Sequence, residues 1–255
     1  MPPAPALQGG VRGALRKVHG ADVFTIAFMA LPISRRAVLA LARTAFFCLV
    51  FGWGISAALE IDASRLEGMA ASRYGSHGKQ AIGEWLQLLQ RAAGEPEQRR
   101  LAMVNDFWNQ RVRGGEDQAV WGQPDYWATP LESLGRGVGD CEDYVIGKYF
   151  SLVALGVPAS KLRFVYVRAR LGGPSSSDQV AHMVLGYYPE PDAMPLVLDS
   201  LISTILPASQ RRDLVPVFSF NAEGVYVDGK QAAPVDRIGR WRNLLQRMER
   251  EGVRP

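Results

Sequence analysis

Cysteine and histidine are scarce in this chain of 255 residues, which holds two of the first and three of the second. Cys48 lies in an apolar leader, so the rest of the chain keeps a single thiol, Cys141, and has no internal disulfide. A long apolar run is also lacking: the longest uninterrupted one, 44–58, spans 15 residues, where a membrane span needs ~20. An excess of basic charge is missing from the body of the chain. The formal net charge is +4, but residues 1–58 hold Arg12, Arg16, Lys17, Arg35, Arg36 and Arg43 against Asp22 alone. From residue 59 onward 23 basic residues face 24 acidic ones, which removes support for an electrostatic grip on nucleic acid. Internal repeats are absent. At 47% hydrophobic the chain can bury a core, so global disorder is excluded, and its length allows one large domain or two small ones.

The leader, 1–58, carries the marks of export. Arg35 and Arg36 precede the apolar stretch, Arg43 interrupts it, and Ser56-Ala57-Ala58 ends it in small residues, so cleavage before Leu59 is the expectation. Ser34-Arg35-Arg36 also resembles a twin-arginine signal, and an uncleaved signal anchor is the alternative. The expected organisation is therefore a leader over 1–58 and one folded domain over 59–255.

That domain starts helical. Ile82, Trp85, Leu86 and Leu89 share one face of a helix over 79–93. Glu95-Pro96-Glu97 opens a second helix, which Leu101, Val104, Phe107 and Trp108 continue towards Gly114. Residues 116–128 read as a loop bearing Trp121, Tyr126 and Trp127. Thr129-Pro130-Leu131-Glu132 is a capping box for a short helix ended by Gly135. Gly135, Gly137 and Gly139 then form a turn. No strand precedes it and carboxylates follow, so a phosphate loop is a poor reading. Asp140 is a good N-cap for an apolar helix from Cys141 to Leu155, stopped by Gly156. β-formers then dominate 162–170, 180–188, 195–199, 215–220 and 225–227, and a terminal helix over 237–250 carries five arginines. Helices followed by an antiparallel sheet make this α+β.

Three residues stand out chemically. Cys141 sits in the first turn of its helix, where the dipole favours a thiolate. His182 lies inside a strand, whereas His77 lies in what reads as a loop with no obvious partner. A hairpin turn centred near 190.5 gives paired residues an index sum of ~381, which places His182 and Asp199 across from one another on one face. A carboxylate there fixes the imidazole tautomer, and a thiol brought against that imidazole becomes a nucleophile. The alternative is an inert Cys, a core His and an unrelated hairpin Asp. Asp140, Glu142 and Asp143 oppose activation, because carboxylates beside a thiol raise its pKa. Either they point into solvent or they bind a hard cation such as calcium.

The stretches Tyr126-Trp127-Ala128-Thr129-Pro130-Leu131-Glu132, Gly137-Val138-Gly139-Asp140-Cys141-Glu142-Asp143-Tyr144, Ala181-His182-Met183-Val184-Leu185 and Leu196-Val197-Leu198-Asp199 resemble the bacterial transglutaminase-like cysteine proteinases. The resemblance implies a papain-like, transglutaminase-like fold with Cys141, His182 and Asp199 as catalytic triad. It implies calcium dependence through Asp140 and Glu142, to which proximity adds Asp143. It further implies a periplasmic endopeptidase that cuts the N-terminal region of a large surface adhesin and promotes biofilm dispersal. Its inhibitory partner would be an inner-membrane cyclic di-GMP receptor of LapD type. Two alternatives use the same residues: a thiol acyltransferase acting on protein glutamines, and a catalytically retired binding module.

Overall fold

The computed structural model describes Leu59–Arg254 apart from Asp228. The export readings for 1–58 lie outside the described residues. Among the described residues no helix is long and apolar enough to cross a membrane.

Among the described residues six helices and eleven strands follow in order. Strand β1 (Glu60–Ile61) leads into helix α1 (Ala63–Ala92), whose N-cap Asp62 accepts from the backbone N–H of Arg65 at 3.0 Å. Leu66, Ala70, Ala81, Ile82, Trp85 and Leu88 form its buried face. This helix begins sixteen residues before the span 79–93 read from the sequence, so His77 is helical and not in a loop. Gly75, at φ 67°, breaks the helical path and kinks α1 there. Helix α2 (Glu97–Arg111), strand β2 (Arg113–Gly114) and the five-residue helix α3 (Asp117–Trp121) follow. Helix α3 lies inside the stretch read as a plain loop. Helix α4 (Pro130–Arg136) starts with both halves of the expected capping box: Thr129 Oγ1 accepts from Glu132 N at 3.2 Å, and Glu132 Oε2 accepts from Thr129 N at 2.8 Å. It ends at Gly137 and not at Gly135, and the glycine turn continues as strand β3 (Val138–Gly139), parallel to β2.

Helix α5 (Cys141–Ala154) is the central helix, buried from Asp143 to Leu152. Its middle accepts the two largest side chains of the core. Gly147 has no side chain because the Trp108 ring occupies that space: a Cβ there would lie 2.4 Å from ring carbons. One turn on, the Ser151 hydroxyl accepts from the indole N–H groups of Trp85 at 2.8 Å and Trp108 at 2.9 Å, and donates to the Gly147 carbonyl at 2.7 Å. Both indoles are thereby buried with their polar atoms satisfied.

The rest is a seven-stranded antiparallel sheet: β4 (Leu162–Arg170), β5 (Gln179–Tyr187), β6 (Leu196–Leu198), β7 (Leu206–Pro207), β8 (Leu214–Phe220), β9 (Val225–Val227) and β10 (Lys230–Ala233), in spatial order β10-β9-β8-β4-β5-β6-β7. Phe164 and Phe220 stack at 4.7 Å on its inner face and meet Trp241 of helix α6 (Gly239–Glu251) at 5.4 and 6.0 Å. Strand β11 (Val253–Arg254) pairs with β1 and ties the two ends of the domain together. The β5–β6 register is Leu185↔Leu198 and Tyr187↔Leu196, an index sum of 383. The expected 381 is therefore off by one pair. The connection is longer on the β6 side, so Asp199 stands diagonal to His182. The two-residue slip keeps the parity, and with it the shared face.

Candidate active site

Cys141 opens α5 behind the N-cap Asp140, whose Oδ1 accepts from Glu142 N at 3.2 Å and Asp143 N at 3.4 Å. Its helix packs on β5, and the thiol is partly buried against the core. Sγ donates to Glu142 Oε2 at 2.8 Å, and Glu142 Oε1 accepts from the Tyr166 hydroxyl at 3.3 Å. Burial pushes the thiol pKa strongly up, and the charge and hydrogen bond of Glu142 and the charge of Asp140 push it further; only the Met183 N–H acts downward. In this arrangement the carboxylates outweigh the helix dipole.

His182 precedes Met183 and is buried in β5. Its Nε2 meets Asp199 Oδ1 at 2.7 Å. Asp199 lies just past β6, 1% exposed, and every one of its oxygens is engaged. Oδ1 also accepts from Leu201 N at 3.0 Å, Oδ2 accepts from Arg211 Nη2 at 2.7 Å, and its backbone carbonyl accepts from Asn109 Nδ2 at 2.8 Å. Burial alone would raise the Asp199 pKa. The hydrogen bond and charge of His182, the Leu201 N–H and Arg211 more than offset it, and hold the carboxyl at about 2. Arg211, itself 3% exposed, is shared with Asp213 at 2.7 Å. With Nε2 committed to Asp199, the imidazole has Nδ1 left for other chemistry.

The acids of the turn divide into two groups. Asp140 and Asp143 each bring a carboxylate oxygen together with one of Asp117, all within 4.8 Å of one another. Glu142 is turned towards the thiol instead. Asp143 is fully buried; its Oδ1 accepts from Ala128 N at 2.7 Å, while Oδ2 has no hydrogen-bond partner. Asp117 Oδ1 is likewise buried without a partner, its Oδ2 accepting from Tyr126 N. Burial, and then the charges of Glu142, Asp143 and Asp117, lift Asp140 to about 9. Asp143 is driven well up mainly by burial and by the charges of Asp117 and Glu142, and Asp117 is raised chiefly by burial. Three crowded carboxylates with two orphaned buried oxygens have the donor set of a hard divalent cation.

A family model described as bacterial transglutaminase-like cysteine proteinase matches residues 84–211, a span that contains Cys141, His182, Asp199 and the acids around the thiol. The chain belongs to that family. Comparison with solved structures finds Legionella pneumophila LapG at 39% identity and a TM-score of 0.64, covering 75% of this chain and 99% of that one. Its calcium-bound form matches at 39% identity and a TM-score of 0.63, over 74% of this chain and 99% of that one. The EGTA-treated form matches at 39% and 0.64, over 75% and 100%. A comparison with curated proteins finds no match. The mixed helix-and-sheet fold and the cysteine-proteinase class read from the sequence are those of these relatives.

Sequence reasoning misses Asp117, Arg211 and Asn109. Asp117 sits in a short acidic stretch far upstream of Asp140, with no spacing to link the two. Arg211 follows a 3-10 turn (Ala208–Gln210) and carries no periodic signal. Asn109 lies on α2 among residues read only for their apolar face.

Proposed function

We propose that this protein is a calcium-dependent periplasmic cysteine endopeptidase in which Cys141 is the nucleophile, His182 the base and Asp199 the residue that orients it. The observation that carries the reading is the His182–Asp199 pair, buried and 2.7 Å apart, with His182 on the strand β5 that packs against the helix Cys141 opens. The thiol proton passes to His182 Nδ1 and Sγ bonds to the scissile carbonyl carbon. Asp199 accepts the Nε2–H and stabilises the imidazolium. The backbone N–H of Cys141, at the helix N-terminus, is an oxyanion donor. Collapse of the tetrahedral intermediate expels the amine with the His182 proton and leaves a thioester. Water then attacks the thioester, with His182 again as base.

The thiol must exchange Glu142 for His182 before this can begin. Asp117, Asp140 and Asp143 would hold calcium, with Glu142 beside them. The ion supplies positive charge that offsets the carboxylates raising the thiol pKa. The two orphaned carboxylate oxygens support this reading, as does the calcium-bound form of the Legionella LapG structure.

The substrate we propose is the N-terminal region of a large cell-surface adhesin, whose cleavage releases it and promotes biofilm dispersal. An inner-membrane cyclic di-GMP receptor of LapD type would hold the protease inactive. Support comes from the family and from the likeness to LapG. The test incubates the protein with an adhesin N-terminal fragment from the same genome, with calcium or chelator, and with Cys141→Ala as control. One calcium-dependent cut, absent with Cys141→Ala and blocked by the receptor's periplasmic domain, is expected. Amine incorporation or glutamine deamidation without peptide-bond cleavage would overturn the endopeptidase in favour of acyl transfer.

A further inference from the structure

The arginines of α6 and the aromatics of 121–127 are not used by the chemistry above, and they meet in one place. A cleft of about 310 Å³ opens on the inner side of the sheet, walled by Trp127, Tyr166, Phe218 and Phe220, with Arg237 and Arg240 among the residues lining it. The walls are fixed: Trp127 stacks on Phe220 at 5.6 Å and Tyr166 on Phe218 at 4.6 Å. The cleft reaches the thiol through Tyr166. The Tyr166 hydroxyl donates to Glu142 Oε1 at 3.3 Å, and the other oxygen of that carboxylate accepts from the thiol at 2.8 Å. At its other end the cleft shares Trp127 and Arg240 with a second, polar cavity of about 390 Å³, which runs along α6 past Arg247 and Arg250. Arg240 and Arg247 are paired, with Asp125 and Glu132. Arg237 is exposed and, among the described residues, makes no ion pair.

We infer that the substrate polypeptide runs from Cys141 across this cleft onto α6, placing an apolar side chain against the partly exposed Tyr166–Phe218 pair and acidic residues against Arg237 and the arginines of α6. An aromatic-walled cavity of this size takes a branched aliphatic or aromatic side chain and leaves a charged one desolvated. An arginine face beyond it selects carboxylates and lends the interaction a salt dependence. The inference rests on Cys141 as the nucleophile, and it adds a substrate class that the triad alone does not define.

The test exposes the calcium-loaded full chain to a proteome-derived peptide library and reads the cut sites by mass spectrometry. One position near the cut should be enriched at least about ten-fold in apolar side chains, the range a hydrophobic pocket supplies. Positions further from the cut on the same side should be enriched roughly two- to five-fold in Asp and Glu, as exposed ion pairs allow, and the acidic enrichment should fade in high salt. Phe218→Trp fills the cleft and should shift the apolar position to smaller residues. Arg237→Glu, on an exposed 3-10 turn and harmless to folding, should abolish or invert the acidic enrichment through KM and not kcat. Cutting with no enriched position, or an acidic preference that survives Arg237→Glu, overturns the subsite and leaves the nucleophile assignment standing. No cutting, together with a Cys141 alkylation rate equal to that of free cysteine, overturns the nucleophile assignment and the subsite with it.

Discussion

Replacing Asp199 by Asn separates the orienting role of this residue from its structural one. The carboxylate accepts from three donors: His182 Nε2 and Leu201 N on Oδ1, and Arg211 Nη2 on Oδ2. An amide offers one oxygen and one donor, so two placements compete. With the amide NH2 towards Arg211, a donor meets a cation that is 2% exposed at its side chain. That sets a buried donor against a guanidinium whose remaining carboxylate partner is Asp213, so repulsion is added to the lost charge-assisted bond. With the NH2 towards His182, the Arg211 bond survives and only the Leu201 N–H loses its acceptor, at about 1–3 kcal/mol. The second placement wins. It requires Nε2 to accept, so the proton moves to Nδ1, the nitrogen that must take the thiol proton. Turnover should fall by about 10³–10⁴-fold, as for the aspartate of serine-protease triads.

Stability supplies an independent reading of the same variant. The Asp199 carboxyl sits at about 2 against an ordinary 3.8. A folded-state pKa lowered in this way contributes about 2 kcal/mol, present above pH ~4 and lost as the pH falls through the folded value. Asp199→Asn should therefore melt lower than wild type at pH 7, by roughly 4–8 °C for a domain of this size. The gap should close as the pH approaches 2. Asp213→Asn is the comparison, because Asp213 also holds Arg211 but does not touch His182 in this structure. Comparable losses of kcat/KM in the two variants, or more than a tenth of wild-type activity in Asp199→Asn, would refute the tautomer argument.

Chelation should lower the melting temperature reversibly, and saturating calcium at 100 times its Kd should restore about 2.7 kcal/mol, read by calorimetry. In metal-free protein Asp143→Asn should be more stable than wild type, since it removes one of three repelling buried acids, and it should no longer respond to calcium. Cys141→Ala should abolish cleavage while shifting the melting temperature by no more than about 2–4 °C, because the thiol is only partly buried and makes one side-chain hydrogen bond, to Glu142. Glu251, 2% exposed, is lifted from 4.5 to about 7, first by burial and then by Glu132, with Thr129, Arg73 and Arg247 acting downward. Its ionisation therefore destabilises the fold increasingly between those values. Glu251→Gln should raise the melting temperature at pH 8 and leave it unchanged at pH 5, as thermal melts at the two pH values will show.

What the sequence makes legible is what local chemistry determines. The Thr129–Glu132 capping box, the Asp140 cap and the run of α5 all follow from side chains that satisfy backbone groups within four residues. The shared face of His182 and Asp199 follows from strand parity, which a slip of two residues preserves. What is not legible is determined at long range. The first part of α1 contains Gly68, Gly75 and Gly78 and buries only Leu66 and Ala70 besides Gly78, so its apolar pattern is thin, and packing against the rest of the domain makes it a helix. Asp117 joins Asp140 and Asp143 only because α3 folds back beside the turn, and Arg211 reaches Asp199 only because β7 returns along β6.

Acidic groups in this site are driven in opposite directions, and the difference lies in their partners and not in their burial. Asp199 and Asp143 are both fully shielded from water. Asp199 is held ionised because a guanidinium, an imidazole and an N–H converge on it. Asp143 is driven towards its neutral form because its neighbours are further carboxylates and one oxygen has no donor. The first environment is complete within the described protein and builds a rigid support for His182. The second leaves a buried oxygen on each of Asp117 and Asp143 without a partner, which is the ground for the calcium site proposed above. The thiol lies between the two, and its position at a helix N-terminus contributes about 0.3–1 kcal/mol towards ionisation. A carboxylate oxygen at 2.8 Å opposes that with a larger effect of the same kind. Under the proposed mechanism, neutralising Glu142 and its neighbours would favour ionisation of Cys141, so the charge balance at the turn would govern whether the His182–Asp199 pair has a nucleophile to serve.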